Sequence, residues 1–156
     1  MFLAPLPGRA QPAAGPAAAL QKLVSGFYTP YIHTPSGQEP PDAAGIIAAH
    51  ATPALVRLLK NDQACQTRSQ GVCNLDFDVI ISGQDWDLTA PPRVTVRQAS
   101  GGKITIASQF TNDGTATEVD YMFLNTGGKW LIDDMTSPTP AADSWRLTKI
   151  LANEPG

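Results

Sequence analysis

The sequence contains few of the residues from which catalytic and metal sites are usually built. Among its 156 residues are two cysteines and two histidines. The spacing of Cys65 and Cys73 fits neither a C-x-x-C redox pair nor half of a common zinc site. There is also no G-x-S-x-G motif and no glycine-rich phosphate loop before a predicted helix. We therefore predict no catalytic residue, no metal site and no cofactor.

Charged residues are scarce as well. They make up 16% of the chain, against roughly 25% in ordinary soluble domains. The formal net charge is −3, and the 11 lysines and arginines are scattered along the chain. Because nucleic acids favour a basic surface, this composition argues against a nucleic-acid partner. No apolar run reaches the roughly 18 residues that a membrane-spanning helix needs, so no transmembrane segment is predicted.

The start of the chain is rich in proline, alanine and glycine. Pro5, Pro7, Pro12 and Pro16 exclude a regular helix there, so residues 1–16 are predicted to form a disordered leader. The opening apolar residues allow two interpretations: the end of an export signal that begins upstream, or a leader with no targeting role. No linker or internal repeat follows, and residues 17–153 are predicted to form a single α+β domain.

The two cysteines are separated by a short polar stretch, Q-T-R-S-Q-G-V. A disulfide between Cys65 and Cys73 would stabilise the fold by roughly 2–3 kcal/mol in the loop-entropy model. Such bonds persist in oxidising compartments. We interpret the pair as a disulfide in a periplasmic or secreted protein, and the alternative is two unrelated thiols.

The first half of the chain is predicted to be helical. Apolar residues spaced by three and four form one stripe, which predicts a helix that Pro30 ends or kinks near Thr29. The stripe consists of Leu20, Leu23, Val24, Phe27, Tyr28 and Tyr31. Asp42 is predicted to cap a helix over 43–50. Thr52 and Pro53 are predicted to begin a second one over 52–61.

The second half alternates as strands do. Four strand-like runs are joined by short turns, which predicts an antiparallel meander because tight turns cannot join parallel neighbours. The runs are Arg93–Gln98, Lys103–Phe110, Ala116–Leu124 and Lys129–Met135. Val94 and Val96 are predicted to face inward. A last helix is predicted after Asp143 as its N-cap. Helices followed by strands predict helices packed in a curved four-stranded antiparallel sheet.

An acidic segment, Asn74–Asp87, joins the two halves. Carboxylates this close to apolar residues need hydrogen-bond donors, cations or water to remain ionised. The segment therefore has three interpretations: a polar bracket that anchors the helix-to-sheet crossover, a polar ligand site, or a calcium site that lacks the D-x-[DN]-x-[DN]-G spacing. The candidate ligand-binding residues are Tyr28, Asp76, Asp78, Gln84, Asp85 and Trp86.

Two further aspartates, Asp133 and Asp134, end a predicted strand, and alternation sends one inward and one to solvent. A carboxylate in an apolar pocket has a raised pKa and serves as a general base in isomerases and dehydratases. Asp85 is the other candidate for this role. The commoner explanation for Asp133 or Asp134 is a strand cap or an ion pair with Arg93 or Arg97.

The order of these motifs resembles a known family. The Leu23–Tyr31 helix, the D-F-D and Q-D-W segments, the Tyr121–Leu124 strand and the K-W-L-I-D-D-M strand are similar to the bacterial domain of unknown function 3828 family. The resemblance implies a cone-shaped, cystatin-like fold related to nuclear transport factor two, in an exported protein or lipoprotein. It places Asp76, Asp78, Gln84 and Asp85 at the family's D-x-D and Q-D positions. No cysteine near the start would serve as a lipid anchor.

The sequence thus favours a non-catalytic binding or protein-interaction module, with an unidentified protein or small molecule as its ligand. An immunity-type protein that blocks a secreted effector is one special case. The alternative is a carboxylate-based isomerase or dehydratase. A third hypothesis is a homodimer formed through the open sheet face, where Arg97, Thr105 and Thr117 are predicted to lie.

Overall fold

A computed structural model describes residues 15–34 and 38–153, without the side chain of His33. Nearly all of the predicted leader lies outside the described residues. The helices are α1 (Pro16–Phe27), α2 (Thr29–His33), α3 (Ala43–Ala48), α4 (Pro53–Ser69) and α5 (Leu147–Leu151). The strands are β1 (Arg93–Ser100), β2 (Lys103–Asn112), β3 (Thr115–Thr126), β4 (Lys129–Thr139) and β5 (Trp145–Arg146).

The first apolar stripe lies on two helices rather than one. Pro30 has no N–H to donate to the carbonyl of Gly26, so α1 ends at Phe27 and α2 begins at Thr29. The predicted break near Thr29 is therefore present, and Tyr31 lies on the short helix that follows it. The apolar stripe faces the core as predicted. Five of its residues are buried, namely Leu20, Val24, Phe27, Tyr28 and Tyr31.

The predicted caps of α3 and α4 are present. Asp42 Oδ1 accepts a hydrogen bond from Gly45 N at 3.0 Å, and Thr52 Oγ1 accepts one from Leu55 N at 3.3 Å. α4 extends well beyond the predicted end at residue 61, because neither proline nor glycine interrupts it before Gln70, which adopts φ 54°. Cys65 in its last turns is disulfide-bonded to Cys73, with a Cα–Cα distance of 6.1 Å.

The sheet has five antiparallel strands in the order β1-β2-β3-β4-β5. The prediction of four strands missed β5, which pairs Arg146 with Thr136 and Trp145 with Ser137. We had assigned this segment to a final helix capped by Asp143. Instead Asp143 lies in a short 3-10 helix, Ala141–Asp143, and α5 begins after β5.

The core lies between the helices and one face of the sheet. As predicted, β2 and β3 contribute alternate residues to it, which are Ile104, Ile106, Phe110, Val119, Tyr121 and Phe123. Val96 lies opposite buried Ile106 and so faces the core side as expected, but it is still 38% exposed where the β1–β2 register shifts between Val96 and Gln98. The α3–α4 junction is tied to β4, since Ile132 N donates to His50 O at 2.7 Å and Ile132 O accepts from Thr52 N at 2.9 Å.

Gly26 in α1 has no conformational reason to be glycine. Its φ is not positive, and a Cβ added there would contact nothing within 4 Å. We expect Gly26→Ala to raise the free energy of unfolding by about 0.5–1 kcal/mol, because glycine weakens a helix interior. Gly127→Ala is the matched control. A Cβ at Gly127 would also contact nothing within 4 Å, but the backbone there has φ +59°, so alanine should lower the free energy of unfolding by about 1 kcal/mol. Urea unfolding decides, and a loss at both positions would contradict this account.

Candidate functional site

The acidic segment belongs to the crossover, residues 71–92, which links α4 to β1. Val79, Ile80 and Ile81 are buried in the core and anchor its centre. Asp78 and Gly83 exchange two backbone hydrogen bonds, at 2.9 and 3.2 Å, and so close a tight loop around these residues. The crossover is therefore a packed part of the domain, and its side chains have fixed directions.

The Asp78 carboxylate holds this loop together and connects it to α2. Its Oδ1 accepts hydrogen bonds from Ile80 N at 2.8 Å and Ile81 N at 3.4 Å, and its Oδ2 accepts one from Tyr31 Oη at 2.5 Å. Burial raises the pKa of the Asp78 carboxyl, and the hydrogen bonds from Tyr31 and the two amides oppose that rise. For Asp78, the structure shows the polar bracket that we predicted as one interpretation of the segment.

Tyr28 and Trp86 lie in the core rather than on a surface. The hydroxyl of Tyr28 is 2.9 Å from that of Tyr121, and burial raises the pKa of both phenols. The Trp86 ring meets Tyr31 edge-on at 5.8 Å, and its Nε1 donates to Thr34 O at 2.7 Å. Their side chains fix the fold around Asp78, and a ligand at the surface would not touch them directly.

Three of the predicted site residues do line one surface cavity. Asp76, Asp78 and Gln84 share a concave site of about 400 Å³ with the capping residue Asp42. We call it the crossover groove; its other lining residues are Pro40, Pro41, Ala43, Ala44, Gln66, Val72, Leu75 and Phe77. A second cavity of about 230 Å³ adjoins it and extends along α4 past Lys60 and Asp62. The groove contains three carboxylates and, in its described lining, no lysine, arginine or histidine.

Asp85 and Asp87 are exposed, and neither lines the groove. Their backbones are held by Asn112 at the end of β2. Asn112 Nδ2 donates to Asp85 O at 3.2 Å, and Asn112 Oδ1 accepts from Asp87 N at 2.8 Å. Sequence analysis missed Asn112, which it assigned only to a turn. In the acidic segment, Asp76 and Asp78 thus line the groove, whereas Asp85 and Asp87 face solvent.

Asp62 was missed as well, although it shapes the groove. It is buried on α4, and its Oδ1 accepts from Asn74 N at 2.8 Å and from Leu75 N at 3.4 Å. Its Oδ2 accepts from Gln66 Nε2 at 2.8 Å. Asp62 therefore anchors the start of the crossover. The sequence predicts that the helix ends at residue 61, and no local signal distinguishes Asp62.

One of Asp133 and Asp134 is buried and the other is exposed, as predicted, but a register shift rather than alternation separates them: Asp134 lies opposite Met122, and Asp133 has no partner on β3. Asp133 is exposed and accepts from Thr52 Oγ1 at 3.2 Å, whereas Asp134 is buried and pairs with Arg146 at 2.8 Å. The expected ion pair with Arg93 or Arg97 was wrong. Since Asp85 and Asp133 are both exposed, neither forms the apolar acid pocket that the isomerase hypothesis requires.

The outer face of the sheet carries a separate charged cluster. Arg97 contacts Glu118 at 2.6 Å and Asp120 at 3.3 Å, and both carboxyl residues are buried. Burial, and then the neighbouring Glu118, raise the pKa of Asp120 to about 6. Thr105 shares this face with Arg97. Thr117 does not, because its position opposite Phe110 puts it on the core side.

Among residues 15–34 and 38–153, no group of three or more histidine, cysteine or acidic side chains is arranged to hold a metal ion. No described helix is long and apolar enough to cross a membrane. No protein-family model, curated protein or solved structure matches the chain. The crossover groove brings together three of the six candidate residues, Asp76, Asp78 and Gln84.

Proposed function

We propose that this protein is a non-catalytic binding module that recognises a basic segment of a partner protein through the crossover groove. The observation that carries the proposal is the convergence of Asp42, Asp76 and Asp78 on one concave surface. Carboxylates in a cavity attract lysine and arginine side chains, and the amides of Gln66 and Gln84 provide further hydrogen-bonding groups there.

The groove also offers apolar contacts beside its charges. Leu75 and Phe77 are half-buried in the groove wall, and Val72 is 67% exposed at its rim. Lysine and arginine carry long methylene stems that pack on such surfaces while their charged ends reach an acid. The combination suits a basic peptide segment better than a free metal ion or a simple amine.

The walls of the groove are held in place before any partner binds. The Asp78 loop fixes one wall, Asp62 fixes the start of the crossover, and the Cys65–Cys73 bond ties that start to α4. A preformed site loses less conformational entropy on binding. A disulfide of this kind is also typical of oxidising compartments, which supports our proposal that the protein is periplasmic or secreted.

We further propose that the fold is a cystatin-like cone of the kind found in the domain of unknown function 3828 family. The shown architecture, with α1 packed against β1 and β2 of an antiparallel meander, supports this proposal. So does the order of the sequence motifs from Leu23 to Met135.

Titration with pentalysine and pentaglutamate tests the function. We expect pentalysine to bind and pentaglutamate not to bind. Asp76→Asn should weaken pentalysine binding about fivefold, the effect of losing roughly 1 kcal/mol of charge–charge attraction. Calorimetry at low ionic strength provides the measurement, since salt screens such contacts.

Asp85→Asn is the matched control, because it removes the same charge from the exposed side of the same crossover. It should change the affinity less than twofold. Equal losses in both variants would mean that net charge, and not the groove, attracts the peptide. Absence of pentalysine binding to the wild-type protein would overturn the proposal.

A further inference from the structure

A second concave site lies on the other side of α3 from the crossover groove. We call it the α1–α3 pocket. It has a volume of about 550 Å³, within the range of about 300–1,000 Å³ that is typical of small-molecule sites. Its lining residues are Lys22, Leu23, Gly26, Phe27, Pro30, Ile46, Ala49 and His50. Most of these side chains are apolar, and none is acidic.

The walls of the pocket are fixed by the core beneath them. The Phe27 ring is 5% exposed and packs on Tyr121 at 5.7 Å and on the His50 ring at 5.5 Å. The backbone of His50 is bonded to Ile132 of β4. A ligand would therefore meet a surface that is already ordered, which favours binding.

Gly26 keeps the pocket open. A Cβ at this helical position would meet no atom within 4 Å, so neither backbone geometry nor close packing requires glycine. Glycine in a helix interior is unfavourable, yet here it leaves the α1 side of the cavity without a side chain. A larger side chain at this position would extend into the space of the pocket.

The polar groups of the pocket are cationic or able to donate a hydrogen bond. Within residues 15–34 and 38–153, Lys22 forms no ion pair, and neither ring nitrogen of His50 has a hydrogen-bond partner. Both side chains are thus free to contact a ligand. The charge of the rim is opposite to that of the crossover groove, so the two sites would take different ligands.

We propose that the α1–α3 pocket binds a small apolar monocarboxylate. Its hydrocarbon chain would lie against Leu23, Phe27 and Ile46, and its carboxylate would contact Lys22 and His50. A planar carboxylate can accept from an ammonium and an imidazole together. This site is independent of the proposed function of the groove, and failure of either proposal leaves the other intact.

Titration of the full chain with decanoate and with decanol tests the pocket. We expect decanoate, kept monomeric, to bind about tenfold more tightly than decanol, because only the acid uses the cationic rim. Amide chemical shifts should change at Gly26 and Ala49 in the wild-type protein. Equal affinities for the acid and the alcohol, or shifts confined to other regions, would overturn the proposal.

Two variants separate the charge of the rim from the shape of the pocket. Lys22→Gln should weaken decanoate binding about threefold and leave decanol binding unchanged, whereas Lys60→Gln on α4 is the charge-matched control without effect. Gly26→Leu should place a side chain in the cavity and weaken the binding of both compounds about tenfold. A cooperative urea unfolding transition shows that this variant remains folded, and wild-type decanoate affinity in the folded variant would overturn the site.

Vesicles distinguish a soluble ligand from a membrane surface. We expect the protein to remain in the supernatant when it is sedimented with phosphatidylcholine vesicles that contain phosphatidylglycerol. Sedimentation of the wild-type protein, but not of Gly26→Leu, with these vesicles would overturn the free-monocarboxylate proposal and assign the pocket to a lipid surface.

Discussion

Asp134→Ala should cost about 3–5 kcal/mol of the free energy of unfolding. The buried carboxylate accepts from the amides of Met135 and Thr148, at 2.8 and 3.1 Å, and from the Thr148 hydroxyl at 2.8 Å. It also pairs with Arg146 at 2.8 Å. Alanine would leave all four donors without this acceptor and would release β5 and α5 from β4. Urea unfolding measures the loss.

Asp133→Ala is the control for this experiment. Asp133 is the adjacent residue on β4 and carries the same charge, but it is exposed and accepts one hydrogen bond, from Thr52 Oγ1 at 3.2 Å. We expect its loss to cost less than about 1 kcal/mol. Amide exchange should accelerate at Arg146–Leu151 in Asp134→Ala alone. Similar costs at both positions would show that Asp134 does not hold the C-terminal segment.

Arg97→Met should destabilise the protein by about 2–3 kcal/mol at pH 8, and by much less near pH 4. Arg97 is the cation paired with buried Glu118 and Asp120. The pKa of Asp120 is raised to about 6. A carboxyl whose pKa is raised in the folded protein stabilises the fold at pH values below its unfolded pKa, near 4. This stabilisation disappears as the pH rises through about 6. Without Arg97, ionised Asp120 is a buried charge that has lost its cation, so the cost increases as the pH rises through about 6.

Unfolding at several pH values between 4 and 8 measures this dependence. Arg93→Met is the control, because Arg93 lies exposed on the same strand and has no ion pair within the described part of the chain. It should show little change at either end of the range. A cost of Arg97→Met that stayed constant with pH would mean that the loss comes from packing rather than charge.

The features that sequence analysis predicted correctly depend on nearby residues. Asp42 and Thr52 each accept a hydrogen bond from the amide three residues later and so cap their own helices. Cys65 and Cys73 are separated by one short loop. Strand alternation buries Val119, Tyr121 and Phe123. In each case the partners are close in sequence or share one period, so the pattern alone determines the outcome.

The features that it missed depend on contacts between distant segments. α5 is capped by Asp134 on β4, 14 residues away, and not by its own neighbour Asp143. Tyr28 and Trp86 were proposed to bind a ligand, but their polar atoms meet Tyr121 and Thr34 inside the fold. A sequence shows that a polar aromatic residue needs a hydrogen-bond partner, and it does not show whether that partner is the protein or a ligand.

Asp78 belongs to both the interior and the groove, so under the proposed function its ionisation is linked to the binding of a cationic partner. A positive charge that settles beside Asp78 favours its ionised form, against the burial that raises its pKa. By thermodynamic linkage, the more acidic the solution, the less tightly a cationic partner is retained. Tyr31 on α2 donates a hydrogen bond to the same carboxylate, so the core contacts of α2 include a group whose charge depends on occupancy of the groove.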